Sequence, residues 1–307
     1  MDTLVSPLRY PGGKSELTKY FEVTLKENLL LGCHLVEPYA GGASVSLAML
    51  TLDVIRKATL IERDPLIYSF WKSVRYHPDE LCDRIQRCEV TLNTWKRYQK
   101  YLVANCNQLY SVVELGMAGV FLNRTNFSGI INAGPIGGMS QQSDYSIDCR
   151  FNKERIIDLI TSISRLGPKI NVVFGDGLRY LRRNEARLLE EHTLTYLDPP
   201  YYQQGHRLYR FSYKKDDHKK LANQITKAKY PWIVSYDNHP YIRKLFAGQK
   251  ILPISLNYAV KESRRADELL ISNIKLAKAV YETKPRSRNT ILAQRKNEKE
   301  LRRSVGS

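Results

Sequence analysis

The residues best suited to chemistry in this sequence are Asp198, Pro199, Pro200 and Tyr201, which follow the strand-like run Leu194–Leu197. The prolines cannot extend a strand ladder because they lack N–H donors and have a fixed φ. Asp198 and Tyr201 are therefore expected at the carboxyl end of a strand, where open α/β sheets bind ligands. The Asp198 carboxylate and the Pro199 carbonyl can accept hydrogen bonds from one amino group while Tyr201 stacks on a ring. The segment favours a planar, amine-bearing ligand over an ordinary strand exit.

A second group of residues suggests a place for a nucleoside. A short apolar run ending at Pro38 leads into the turn Tyr39–Gly42, and a helical pattern follows over 45–50. Small residues in such a turn let a ligand approach the backbone closely. About twenty residues later, another apolar run ends at Glu62, where a ribose diol would need an acceptor. A glycine turn alone is as often structural, so the prediction depends on the combination.

A third segment contains Lys14 between Gly13 and Ser15 and invites comparison with a phosphate-binding loop. That loop requires a glycine five residues before Gly13, and Leu8 stands there. The sequence therefore excludes a nucleoside-triphosphatase of the phosphate-loop type.

Taken in order, these motifs resemble those of the Dam-like, alpha-group DNA adenine methyltransferases of the Asp-Pro-Pro-Tyr type. The similarity runs from about Pro7 to Asn273 and includes the stretches NRTNFSG at 123–129 and ELLISN at 268–273. It implies an α/β fold: a Rossmann-like methyltransferase sheet with an inserted, mainly helical target-recognition module. It also implies S-adenosylmethionine as the cofactor and an adenine of double-stranded DNA as the substrate.

The resemblance further implies three sets of site residues. Those that would hold the flipped adenine are Asp198, Pro199, Pro200 and Tyr201. Those that would bind the cofactor are Tyr10 and Lys14, then Glu37, Tyr39, Ala40 and Gly41 at its methionine end, Glu62 at its ribose, Asp176 beside its adenine, and Asp198. Those that would contact DNA are Arg124, Asn126, Ser128 and Arg150.

The chain departs from the family pattern in two places. Alanine stands at position 43, where the family commonly has glycine, and we expect the extra methyl group to be tolerated. After Gly129 the chain continues through a glycine-rich stretch to Arg150, unlike the recognition hairpin of Dam itself. The recognition sequence of Dam is therefore not transferred to this chain.

The composition agrees with a polyanionic partner. The chain has 48 Lys and Arg against 31 Asp and Glu, a formal charge of +17, and basic residues strengthen binding to nucleic acid by releasing counterions. Part of the excess lies in a basic tail, residues 281–307, which would also fit a merely solvated segment.

Other features of the sequence indicate the location of the protein and whether it binds a metal. No apolar run is long enough for a transmembrane helix, and the N-terminus lacks the pattern of a signal peptide. A cytoplasmic protein without a membrane partner is expected, encoded by a prokaryote or a phage, and a separately encoded restriction endonuclease would be a compatible partner. The five cysteines contain no Cys-x-x-Cys pair and the histidines are scattered, so no metal site is predicted.

The order of patterns predicts the domain organisation. Strands are expected at 34–38, 58–62, 171–174, 193–197 and 232–236, with helical patterns between them, as in an α/β sheet. Between 78 and 165 the pattern changes to helices such as 79–87 and 94–105, followed by a long polar loop. We therefore predict a catalytic domain at 1–77 and 166–280, a target-recognition module at 78–165, and the basic tail at 281–307.

Three alternatives remain open at this stage. A catalytically silent DNA-binding protein with the same fold would keep the basic surface, although the complete Asp-Pro-Pro-Tyr motif and Lys14 argue against it. A methyltransferase could instead act on RNA adenine, a cytosine amine or a protein amide. A nicotinamide oxidoreductase is disfavoured because the Gly-x-Gly-x-x-Gly spacing is absent around Gly41.

Overall fold

The computed structural model describes residues 4–10, 14, 17–103, 106–203, 205, 210–258 and 264–278. Within these residues, seven strands form one sheet. The strands are β1 (His34–Pro38), β2 (Lys57–Glu62), β3 (Ile170–Phe174), β4 (Thr193–Leu197), β5 (Trp232–Asp237), β6 (Lys250–Tyr258) and β7 (Arg264–Ser272). The predicted basic tail, residues 281–307, lies outside the described residues.

Helices connect most of the strands, with six of the described ones between β2 and β3. They are α1 (Thr18–Glu27), α2 (Ser44–Thr51), α3 (Pro65–Tyr76), α4 (Pro78–Arg87), α5 (Leu92–Tyr98), α6 (Cys106–Leu109), α7 (Val112–Thr125), α8 (Lys153–Ser164), α9 (Gly177–Arg183), α10 (Glu185–Glu190), α11 (Lys215–Ile225) and α12 (Pro240–Leu245). Asp64 caps α3 by accepting a hydrogen bond from the Leu66 N–H, and Ser111 and Glu114 form a capping box at the start of α7.

The sheet has the order β3-β2-β1-β4-β5-β7-β6. The five strands from β3 to β5 are parallel, and β7 is antiparallel to both β5 and β6. The chain moves outward in one direction from β1 to β3 and in the other from β4 onward, so β1 and β4 flank a topological switch point. Ligands bind beside such a point at the carboxyl ends of the strands. The predicted α/β, Rossmann-like fold class is confirmed.

The sheet is buried on both faces. Adjacent residues of one strand, such as Leu35 and Val36 in β1, belong to different apolar clusters. Because successive side chains of a strand point to opposite faces, the two clusters cover the two sides of the sheet. Strands β1, β4 and β5 are accordingly buried at consecutive positions rather than at alternate ones.

Helix α7 packs closely on α3 because it has glycine at the contact. A Cβ atom on Gly119 would lie 2.6 Å from the carbonyl oxygen of Leu66, and one on Gly116 would lie 2.8 Å from that of Ser69. Part of the predicted module at 78–165 thus shares a core with the predicted catalytic domain, and residues 1–277 form one compact unit. The module boundaries stay a prediction.

Candidate active site

The turn after β1 forms the first wall of a cleft at the switch point. Tyr39, Gly41 and Ala43 all have left-handed backbone conformations, with φ of 67°, 46° and 49°. Glycine is needed at position 41 because a Cβ atom there would lie 2.9 Å from a ring carbon of Tyr10. The turn delivers the chain directly into α2, whose first residues also line the cleft. Helix α2 has no capping side chain at Ala43, and the Glu37 carboxylate accepts a hydrogen bond from the backbone N–H of Ser46 in its first turn.

Glu62, at the end of β2, ties that turn to the sheet. One of its carboxylate oxygens accepts hydrogen bonds from the N–H groups of Arg63 and Asp64, each at 2.8 Å. The other accepts from the N–H of Gly41 at 3.0 Å. The side chain predicted to take ribose hydroxyls is therefore also a structural support of the turn.

Two carboxylates of the cleft are held in an environment that disfavours their charge. Burial raises the pKa of Glu37 to about 8, although a hydrogen bond from the Ser46 hydroxyl acts in the opposite direction. Burial also raises the pKa of Glu62 to about 7 against the effect of its backbone hydrogen bonds. A cation bound nearby would stabilise the charged form of both groups.

The opposite wall contains Asp198, which follows β4. The Ser235 hydroxyl donates to its Oδ1 at 2.6 Å and so fixes the orientation of the carboxylate. The ammonium of Lys14 lies 3.9 Å from the same oxygen. Glu268 of β7 accepts from Lys14 at 3.3 Å and from the Tyr201 hydroxyl at 2.7 Å.

The two prolines after Asp198 are buried, and Pro200 lines the cleft together with Asp198. Pro199 and Tyr201 adjoin these lining residues in the chain. The N–H groups of Tyr202 and Gln203 donate to the Asp237 carboxylate, each at 2.9 Å, which holds the end of the motif against β5. The motif is thus rigid at both ends.

Residues 210–213 cover one end of the cleft. Arg210 lies 3.7 Å from Asp64, and the hydroxyl groups of Tyr39 and Tyr213 lie 2.5 Å apart. On the same rim, Asp176 caps α9 by accepting from the Arg179 N–H. This cover was not predicted, because no motif in the sequence marks residues 210–213.

The cleft brings together all nine residues predicted to bind a cofactor. It holds about 1120 Å³ of empty space, part of which is open to solvent. The predicted residues among its lining are Tyr10, Lys14, Glu37, Tyr39, Ala40, Gly41, Glu62, Asp176 and Asp198.

The four residues predicted to contact DNA have different surroundings. Arg150 is exposed, and Arg124 and Ser128 are half-buried. Burial and the nearby Arg9, Arg155 and Arg150 lower the pKa of Arg124 to about 10.

Asn126, by contrast, is fully buried. Its amide accepts from Trp95 Nε1 and donates to the carbonyls of Ile130 and Ile131. These bonds occupy both of its donor hydrogens, so in this structure Asn126 supports the following loop instead of presenting donors to solvent.

Asn123 is a supporting residue that sequence reasoning missed. Its amide accepts from the Arg9 N–H at 2.6 Å and donates to the carbonyls of Arg9 and Gly129. Gly129 has φ of 77°, and a Cβ atom there would lie 2.2 Å from the Arg9 carbonyl oxygen. Asn123 therefore joins the N-terminal segment to the segment that contains Arg124.

Two other kinds of feature, a metal centre and a membrane-spanning helix, are absent from the described residues. No group of three or more His, Cys, Asp or Glu side chains among them is arranged to hold a metal ion. None of their helices has the length and apolar character needed to span a membrane.

Comparison with known proteins adds one family match. The sequence model of a family described as D12 class N6 adenine-specific DNA methyltransferase matches residues 10–260, which include every residue that lines the cleft. A search of curated proteins found no match. Among solved structures, the chain is similar to PH1948 from Pyrococcus horikoshii, a proposed RNA methyltransferase. The two share 10% sequence identity with a TM-score of 0.40, over 88% of this chain and 87% of that one.

Proposed function

The chain belongs to the D12 class of N6 adenine-specific DNA methyltransferases, and from this premise we propose that it methylates the exocyclic amino group of an adenine flipped out of duplex DNA. The methyl donor in this proposal is S-adenosylmethionine. The observation that carries the proposal is the cleft itself, which combines Asp198, held by Ser235, with the turn and the carboxylates expected of a nucleoside-type cofactor.

The residues present fit this cofactor in charge and in shape. S-adenosylmethionine carries positive charge on its sulfur and amino group, and the buried Glu37 carboxyl would gain a favourable partner there. Ser44 and Val45, the first two residues of α2, line the cleft, and their N–H groups are suited to a carboxylate. Glu62 has carboxylate oxygens for a ribose diol, and Asp176 stands at the rim for the nucleoside base.

In the proposed reaction, the protein must make the exocyclic amine of adenine a better nucleophile. The amine of adenine is a weak nucleophile because its lone pair is delocalised into the ring. Asp198 and the Pro199 carbonyl would accept its two hydrogens and stabilise the positive charge that develops on nitrogen. Tyr201 would hold the ring in line with the reacting carbon, and one amine proton leaves after transfer. The cofactor, when bound, supplies the electrophilic methyl group.

We assign the DNA-facing surface to four arginines, Arg9, Arg124, Arg150 and Arg155. Burial, and after it the repulsion from neighbouring arginines, lowers the pKa values of Arg9 and Arg124. No carboxylate of the described residues pairs with any of the four, and the buried Nε of Arg124 has no hydrogen-bond partner there. An unpaired cationic cluster beside the cleft suits phosphate oxygens.

The predicted DNA contacts are revised accordingly within this proposal. Arg124 and Arg150 contact the phosphate backbone, and Ser128, with its left-handed φ of 55°, lies in the same segment. Asn126 acts indirectly, by holding the loop at 130–131. A cytoplasmic location and a separately encoded restriction endonuclease are further proposals that rest on the family alone.

Tritium transfer from labelled S-adenosylmethionine tests the proposal. Unmethylated genomic DNA, RNA and protein would be offered in parallel, and the labelled products digested and separated. Label in 6-methyladenine of DNA is the expected result. Label in RNA or protein alone would overturn the substrate, and cofactor binding without transfer to any of the three would favour the catalytically silent alternative.

A further inference from the structure

Glu268 is a buried carboxylate that the proposed reaction does not yet use. It lies on β7, directly opposite Asp237 of β5, and its side chain is 1% exposed. It belongs to the ELLISN stretch at 268–273, which is part of the family resemblance but for which no role was predicted. It also lies beyond residues 10–260, the part of the chain that matches the family.

The contacts of Glu268 join two residues that flank Asp198. Its Oε2 lies 3.2 Å from the Lys14 ammonium and accepts the Tyr201 hydroxyl at 2.7 Å. Lys14 also lies 5.1 Å from the centre of the Tyr201 ring. One carboxylate therefore fixes both the position of the lysine and the rotation of the tyrosine.

The distances show how Lys14 is shared between two carboxylates. Its Nζ is nearer to Glu268, at 3.2 Å, than to Asp198, at 3.9 Å. A buried ammonium needs a charged partner, so without Glu268 the lysine would move towards Asp198. Asp198 already accepts from Ser235. A second, charged donor would weaken it as an acceptor for an amine.

We propose that Glu268 is a positioning residue that holds Lys14 away from Asp198 and orients Tyr201, so that Asp198 keeps its acceptor strength for the target amine. The inference rests on the proposed function, because it assigns a role within the same reaction. It predicts an effect on turnover rather than on the binding of cofactor or DNA.

The pH dependence offers a readout that a purely structural role would not change. Burial raises the pKa of Glu268 to about 7, while Lys14 lowers it and Asp198 raises it. Among the described residues, the titratable groups that interact with it are Lys14, Asp198, Tyr201 and Tyr196. Protonated Glu268 holds Lys14 less strongly, so kcat of the wild type should rise as pH increases through this range.

The test compares the kinetics of Glu268→Gln with those of wild type on DNA. We expect kcat to fall by about tenfold or more, with both KM values changed less than about threefold and the rise in kcat near pH 7 lost. Glu191→Gln is the matched control, because Glu191 pairs with His34 and Lys57 at the amino end of the sheet. It should leave kcat unchanged.

Two further variants make the test decisive. Replacing Lys14 by methionine in Glu268→Gln should raise kcat at saturating cofactor above that of Glu268→Gln alone; a further loss would overturn the inference. If Glu268→Gln does not fold, Glu268→Asp keeps the charge and should retain more of kcat than Glu268→Ala. Wild-type kcat in Glu268→Gln overturns the role of Glu268 alone, whereas an inactive wild type overturns the proposed function.

Discussion

Glu62 accepts a hydrogen bond from the backbone N–H of Gly41 at 3.0 Å, so the end of β2 holds the turn that follows β1. Three N–H groups in all depend on this carboxylate. The shape of the turn is therefore coupled to the side chain predicted to bind the ribose.

Replacing Glu62 by alanine should weaken cofactor binding. Hydrogen bonds to a charged group contribute about 1.5–3 kcal/mol, so we expect the Kd for S-adenosylmethionine to rise by about tenfold or more. Isothermal titration calorimetry measures this change directly. Asp83→Ala, which removes an exposed ion pair with Arg87, is the control and should leave the Kd unchanged. Unaltered affinity in Glu62→Ala would remove Glu62 from the cofactor site.

Replacing Asp198 by alanine should abolish methyl transfer while leaving much of the cofactor binding intact. The carboxylate is the charged acceptor for the amine, and nothing else in the motif carries a negative charge. Transfer of label to DNA and cofactor affinity would be measured on the same preparation. Activity within about tenfold of wild type would contradict the role of Asp198.

Salt dependence tests the arginine surface. Removing one phosphate contact should weaken DNA binding for all sequences and reduce the slope of log K against log salt by about one. We expect this for Arg124→Ala and Arg150→Ala, measured by fluorescence anisotropy. Arg84→Ala is the control, because Arg84 pairs with Glu80 on the exposed face of α4. Equal slopes in all three variants would place the DNA elsewhere.

Stability without ligands should fall as the pH rises from about 5 to 8. The folded protein raises the pKa of Glu37 from 4.5 to about 8, so its contribution is present below 4.5 and is lost as pH rises through 8. Urea unfolding at several pH values measures this. One such group changes the unfolding free energy by at most about 1.4 kcal/mol per pH unit.

Glu37→Gln should reduce that slope, because glutamine does not titrate. The control is Glu114→Gln, since the hydrogen bonds that Glu114 accepts from Ser111 lower its pKa, and it does not titrate in this pH range. A slope in Glu37→Gln equal to that of wild type would show that Glu37 is ionised throughout.

Gly119→Ala should destabilise the fold. The new methyl group would lie 2.6 Å from the Leu66 carbonyl oxygen, and neither helix can move without disturbing the shared core. Overpacking of this kind costs about 1–3 kcal/mol, measurable as a lower urea midpoint. Gly134→Ala, whose added Cβ would meet nothing within 4 Å, is the control. A urea midpoint for Gly119→Ala equal to that of wild type would mean that α3 and α7 can move apart at little cost in free energy.

The sequence predicted the central strands well because they are short, buried and apolar. Strands β1 and β4 have the predicted bounds, and the other three differ by one residue. Helix α5 is shorter than the predicted 94–105, ending at Tyr98 before a tighter turn. Strands β6 and β7 were not predicted. The sequence of β6 contains Pro253, which is unusual inside a strand, and the sequence of β7 begins with charged residues.

The cleft was predictable where motifs mark it and not where distant residues complete it. Asp198 was identified from its local pattern and Lys14 from the family resemblance, but Glu268 and Ser235 contribute through strand pairing far along the chain. Asn126 shows the opposite case: it lies in a motif and was predicted to contact DNA, but it is buried and supports a loop. Local sequence does not distinguish an amide that faces a ligand from one that supports a loop.

The three bonds made by Asn123 divide this part of the molecule into fixed and variable positions. Asn123, Asn126 and Gly129 are constrained by the fold, whereas exposed neighbours such as Arg150 are not. For protein engineering, this means that exposed positions can be replaced without removing the support beneath them. A redesign of this surface should therefore preserve Asn123, Asn126 and Gly129.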